Sequence, residues 1–165
     1  MLSGRIAISA QTTTPEYKLK AVFLYNFTQF IDWPPSSFAT AHSPLIIGIL
    51  GTDPFGTYLT ETVAGEKING HSLIITHYKT AEEANGCHIL FVNTDNKKQD
   101  KVITGLHGRN ILTVSDAPDF TKQGGIIKFF TKSNKIKLEI NLEAAKAANL
   151  AISSKLLRLA EIYTP

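Results

Sequence analysis

Five histidines, one cysteine and three turn aspartates are the side chains with the chemistry for catalysis or metal binding, and their spacing limits what they can do. A metal ion needs ligands converging to about 2 Å around one point, and His42, His71, His77, His88 and His107 show no such spacing. His71 and His77 share a face if they lie on one strand, yet six strand residues span about 20 Å. Cys87 and His88 are neighbours and so point to opposite faces. No metal site is expected. No nucleophile stands in a diagnostic context such as GxSxG, so no catalytic residue is assigned. Cys87 precedes the apolar run ILFV and reads as a small buried hydrophobe rather than a reactive thiolate. It has no second cysteine with which to form an internal disulfide. Asp53, Asp116 and Asp119 follow strands, where aspartate commonly hydrogen-bonds its own turn. The GTDPFG turn after the first long strand matches neither GxGxxG nor a lysine-bearing P-loop, and Pro54 lacks an amide, so it reads as a plain turn.

Two constellations remain. Near the end of the chain, Ser153, Ser154, Lys155 and Arg158 sit on a predicted final helix running to Ala160, with Leu156 and Leu157 on its apolar side. Hydroxyls, helix amides and two cations could hold a small anion or nucleotide-like ligand; the plain reading is a capped helix with a solvated basic face. On the first helix Val22 and Tyr25 widen the apolar surface beyond one stripe. Tyr25, Phe30 and, just after the helix, Trp33 are candidates for a partner-binding aromatic face, against the plain reading of a helix packed on two sides.

The elements that would position these residues follow from periodicity. Phe23, Leu24, Phe27, Phe30 and Ile31 make a helical stripe over Pro15 to Ile31, capped by Thr14 and ended by Trp33-Pro34-Pro35. Leu45 to Leu50 is a strand apolar on both faces, as in a covered parallel sheet. Tyr58 to Val63 reads as a helix, Ser72 to Thr76 as a strand, Thr80 to Ala84 as a short helix and Cys87 to Val92 as a buried strand. A helix over Lys97 to Leu106 and a strand over Asn110 to Val114 follow. Ile126 to Thr131 and Lys135 to Ile140 alternate apolar and polar residues around Lys132-Ser133-Asn134-Lys135, which predicts an antiparallel hairpin. Asn141 then caps a helix from Leu142. Strands alternating with helices predict one α/β domain over residues 15–165: three α/β/α layers, a largely parallel sheet and a C-terminal antiparallel hairpin.

The bulk numbers agree with a globular chain. Of 165 residues 43% are apolar and 19% charged, and 17 Lys and Arg against 14 Asp and Glu leave a net charge of only +3. The basic residues are scattered rather than gathered in the stripe a nucleic-acid binder shows, so no nucleic-acid partner is expected. No run approaches the ~18 to 20 apolar residues of a membrane span, so the chain should not be membrane-embedded. Residues 1–14 read as a signal-peptide remnant or unstructured leader: Ile6-Ala7-Ile8-Ser9-Ala10 has a small residue for cleavage, but its apolar run falls short of the ~7 to 15 a signal needs.

Taken in order, YKLKAVFLYNFTQFIDWP, GILGTDPFG, CHILFV, ILTVSD and GGIIKFF through KIKLEINLEAAKAANLAISSKLLRLA resemble the YfiR family of secreted bacterial proteins, from about Tyr17 to Ala160. The resemblance implies a non-enzymatic periplasmic regulator with no cofactor. Such a protein binds the periplasmic sensor domain of an inner-membrane diguanylate cyclase and represses it, lowering cyclic di-GMP and biofilm formation. It further implies a homodimer and an outer-membrane lipoprotein that sequesters the regulator. Relatives carry paired cysteines, whereas Cys87 is alone here, so control by an internal disulfide does not carry over. Asn149 stands where relatives often have glycine after a helix, and asparagine tolerates the left-handed conformation that cap needs. A small-molecule sensor or carrier is the alternative function, and a hydrolase the third.

Overall fold

The computed structural model describes residues 13–165; the expected leader lies outside them except for Thr13 and Thr14. From there the chain forms α1 (Pro15–Phe30), β1 (Ile31–Asp32), β2 (Leu45–Gly51), α2 (Tyr58–Val63), β3 (Lys67–Ile68), β4 (His71–Tyr78) and β5 (Ile89–Asn93). It continues with α3 (Asn96–Leu106), β6 (Leu112–Ser115), β7 (Ile127–Lys132), β8 (Lys135–Ile140), α4 (Leu142–Ala147), β9 (Ala151–Ile152), α5 (Ser154–Leu157) and β10 (Ala160–Ile162).

Eight strands form one sheet in the order β10-β8-β7-β6-β5-β2-β4-β3. Pairing is parallel throughout except at β3 with β4 and in the β7–β8 hairpin. The central strands are apolar on both sides because both sides are covered. Ile47, Ile49, Ile89, Phe91, Leu112 and Val114 pack beneath α1, α2, α4 and α5. Leu50, Leu90 and Val92 point the other way and meet Val102, Ile103 and Leu106 of α3 together with Phe120. That alternation makes the three layers.

Local chemistry sets the boundaries. Thr14 caps α1 by accepting from the Tyr17 amide, and Asn141 caps α4 by accepting from the Ala144 amide. Asn149 takes φ 58° after α4, and the Leu150 amide reaches back to the Ala145 carbonyl, closing the left-handed cap. In the hairpin turn Ser133 and Asn134 both have positive φ (53° and 61°), the combination that two-residue hairpins favour. Gly125 has a separate reason: a Cβ there would lie 2.3 Å from the Phe120 ring, which fills the α3 side of the core.

Several expectations are corrected. The final helix does not reach Ala160: α5 is a single turn, and Ala160–Ile162 instead pairs parallel to β8 as the outermost strand. The hairpin is therefore not the edge of the sheet. The expected helix over Thr80 to Ala84 is a 3-10 turn at Glu83–Gly86, and the strand expected from Cys87 begins at Ile89. A small antiparallel ribbon of β1 and β9 pairs Ile31 with Ile152, and next to it the Ser153 amide donates to the Phe30 carbonyl. It was not visible in the pattern.

Candidate functional site

In an open parallel sheet the usual ligand crevice lies at the carboxyl ends of the strands, where successive connections leave in opposite directions. Here that point is between β2 and β5, since β4 lies on one side of β2 and β5 on the other. It is plugged. The Thr52 amide donates to the Asn93 carbonyl (3.2 Å), and Asn93 Nδ2 donates to the Thr52 carbonyl (2.9 Å). Gly51, at φ 93°, allows that approach, because a Cβ would stand 2.2 Å from the Asn93 oxygen. Phe55 fills the space behind, edge-on to Phe91 and Tyr17. Asp53 makes the expected turn bond to the Phe55 amide, and also meets His77 Nε2 at 2.6 Å.

The open space at this end lies two strands away. An open cleft of 480 Å³ is lined by Glu16, Tyr17 and Lys20 of α1, Asp116 and Pro118 after β6, and Lys128 to Thr131 of β7. Lys20 is 3% exposed. Its ammonium donates to Glu16 Oε2 (2.5 Å) and Asp116 Oδ2 (3.0 Å) and lies 4.6 Å from the centroid of the Tyr17 ring, a cation–π distance. The Tyr17 hydroxyl donates to the same Asp116 oxygen at 2.5 Å; burial first, then that carboxylate, raises the tyrosine pKa above its ordinary 10.0. On the opposite wall Lys128 Nζ pairs with Glu139 (3.3 Å) and the Pro118 carbonyl (3.0 Å). Two ammoniums meet three carboxylates, so the cleft is a polar recess whose cations are paired within its own walls. Asp116 is thus more than the turn residue its position implied. The sequence signal for the cluster was a lysine on the apolar stripe of α1, one turn before Leu24, with Glu16 four residues earlier.

The amino end of the sheet is built differently. Phe38 is sandwiched between two imidazoles, its centroid 3.8 Å from His71 and 4.4 Å from His88, with near-parallel planes. His88 is 3% exposed. Its Nδ1 accepts from the Ile46 amide (3.0 Å) and its Nε2 donates to the Ser37 carbonyl (2.9 Å), an assignment that uses a neutral ring. Burial holds its pKa below the ordinary 6.5. Trp33 Nε1 donates to the His88 carbonyl, and His71 Nδ1 binds the Ser43 carbonyl. Together these contacts tie the segment between β1 and β2 to the sheet.

The residues expected from sequence sit as follows. Ser153 Oγ accepts from the Lys155 amide, while Ser154, Lys155 and Arg158 are exposed on the single turn of α5. They line none of the clefts described here. Tyr25, Phe30 and Trp33 are each partly buried against the main core, and each is tied elsewhere: Tyr25 to Glu66, Phe30 through its carbonyl to Ser153, Trp33 to His88. Cys87 is 3% exposed, and burial pushes its thiol up to about 12. Among the described residues no helix is long and apolar enough to cross a membrane.

These features define an α/β protein with a doubly wound, mostly parallel sheet, its standard crevice closed and polar recesses beside it. The chain belongs to the YfiR/HmsC-like family, whose profile matches residues 17–161. Solved structures share the fold: a conserved domain protein from Vibrio cholerae is similar at 12% identity and TM-score 0.54, with 93% of this chain and 62% of that one covered. An ABC domain from Streptococcus pneumoniae, solved in complex with L-Trp, is similar at 12% identity and TM-score 0.50, covering 72% of this chain and 55% of that one. The chain thus spans less than two thirds of either solved chain. No curated protein matches it.

Proposed function

We propose that this protein is a periplasmic repressor that binds the periplasmic sensor domain of an inner-membrane diguanylate cyclase and holds the enzyme inactive. The observation that carries this reading is family membership across nearly the whole described chain. Repression follows from population shift: a regulator that binds the inactive form of the sensor better than the active form lowers cyclic di-GMP by no more than that difference in affinity. Nothing catalytic is required of the chain.

Apolar surface suited to such an interface is present. Leu159 is 66% and Ile162 41% exposed beside the outermost strand, and Tyr25 and Phe30 offer a second, half-buried aromatic surface on α1. Homodimer formation and sequestration by an outer-membrane lipoprotein belong to the same proposal. The test is co-purification with the sensor domain of the cyclase from the same organism, together with cyclic di-GMP measured after deletion of the repressor. Deletion should raise the dinucleotide, and a Leu159→Glu, Ile162→Glu variant or a Tyr25→Asp variant should do the same if its surface carries the contact. A sensor that neither binds nor changes the activity of its cyclase overturns the reading.

A further inference from the structure

At the amino ends of β5 and β6 a depression of 350 Å³ is lined by Ser36, Ser37, Asn85, Cys87, Arg109 and Asn110, among others, and by no aspartate or glutamate. Arg109 is exposed and takes part in none of the ion pairs among the described residues. One of its guanidinium N–H groups donates to Asn85 Oδ1 at 2.5 Å, which leaves the others available. The same bond occupies the carbonyl half of the Asn85 amide, so the half left over is the donor. Ser37 Oγ is shut away from solvent and so presents no donor to the recess.

The inventory is therefore one-sided: a guanidinium without a carboxylate, an amide with its donors free, and no acidic group. Cys87 adds no charge, since burial keeps its thiol protonated. Glu82 lines a smaller depression of 220 Å³ that shares Asn85 and Arg109, so negative charge disfavours an anion there and the donors serve the larger recess.

We propose that this depression binds a small oxyanion, a carboxylate or phosphate group, held by the Arg109 fork with Asn85 Nδ2 as a second donor. Guanidinium is suited to both, because its parallel N–H groups match two oxygens of one head group. The volume leaves room for a small organic body behind the head group. This inference stands apart from the repressor reading and holds whichever partner the protein has.

The test is an amide NMR titration of the ¹⁵N-labelled chain with inorganic phosphate and, separately, with acetate, using sodium chloride at matched ionic strength as reference. Saturable shifts confined to Gly86, Cys87, Asn110, Ile111 and the Ser37 segment are expected. Arg109→Ala should weaken binding about tenfold or more, and Arg109→Lys less, since it keeps the charge and loses the fork. Asn85→Ala should weaken it about threefold. Whichever probe binds more tightly assigns the head group. Shifts no different from those of chloride, or an Arg109→Ala variant that binds like the parent, overturn the proposal.

Discussion

The two ends of the sheet each bury a side-chain nitrogen that can carry a charge, and they do so in opposite ways. At the carboxyl end Lys20 is buried with its charge matched by Glu16 and Asp116 and faced by two aromatic rings. At the amino end His88 is buried neutral, with one ring nitrogen accepting and the other donating between two backbone groups. The first arrangement depends on charge partners, the second on the ring staying uncharged. Perturbations that change charge should therefore separate the two ends.

The largest expected effect comes from stranding Lys20. Asp116→Ala removes one of its two carboxylates and the acceptor of the Tyr17 hydroxyl, which should cost about 3 kcal/mol in denaturant unfolding. Replacing the pair together, Lys20→Met with Asp116→Leu, should recover the part of that loss due to the stranded ammonium, because an apolar pair of similar size has no charge to desolvate, while the Tyr17 hydroxyl still lacks its acceptor. A single variant as stable as the parent would mean that Glu16 and solvent suffice, and the contrast between the ends would fail.

Next is His88→Phe, which keeps a flat ring against Phe38 but leaves the Ile46 amide and the Ser37 carbonyl unpaired. A loss of about 2 kcal/mol is expected by the same measurement. The pH dependence sharpens the contrast. His88 has a lower pKa in the fold than its ordinary 6.5, so as pH falls through 6.5 the unfolded chain takes up a proton that the folded chain resists. That contribution to stability is present at neutral pH, declines below 6.5 and is lost once pH has dropped past the depressed folded value. Unfolding midpoints measured across this window should fall with acid in the parent and flatten in His88→Phe. An equal slope in both would remove His88 as the cause.

The smallest effect belongs to the exposed cations of α5. Lys155→Ala with Arg158→Ala should change stability by less than about 0.5 kcal/mol, and calorimetry on that variant would show whether the proposed anion or nucleotide-like ligand of the last turn exists. A large loss of stability there would mean that these side chains brace the chain end.

What could be read from the sequence was whatever a local pattern specifies. The covered strands announced themselves through LIIGIL and ILFV, and the hairpin through the alternation of Lys135 to Ile140. Two-residue strands such as β1, β3 and β9 carry no period of their own and exist only because a distant segment pairs with them. The run KLLRLA reads as helix by propensity, yet the edge of β8 was free to take Ala160–Ile162, and tertiary pairing prevailed. The site followed the same division. Asp116 looked like a turn residue because its partners are 96 and 99 positions away, and the His88 stack depends on three segments that meet only in the fold.

The β1–β9 ribbon sets an order in time. It clasps the end of α1 with residues about 120 positions later, a separation that adds little closure entropy but lengthens the search for the contact. Phe23 and Phe27 of the same helix rest on Phe129 of β7. As the chain is made, α1 can meet α2 and β2 early, but Phe23 and Phe27 have no Phe129 ring beneath them until β7 exists, and the helix end has no clasp until Ile152 does. A chain halted before that point would leave those two rings without their cover, which is the kind of segment a holding chaperone binds.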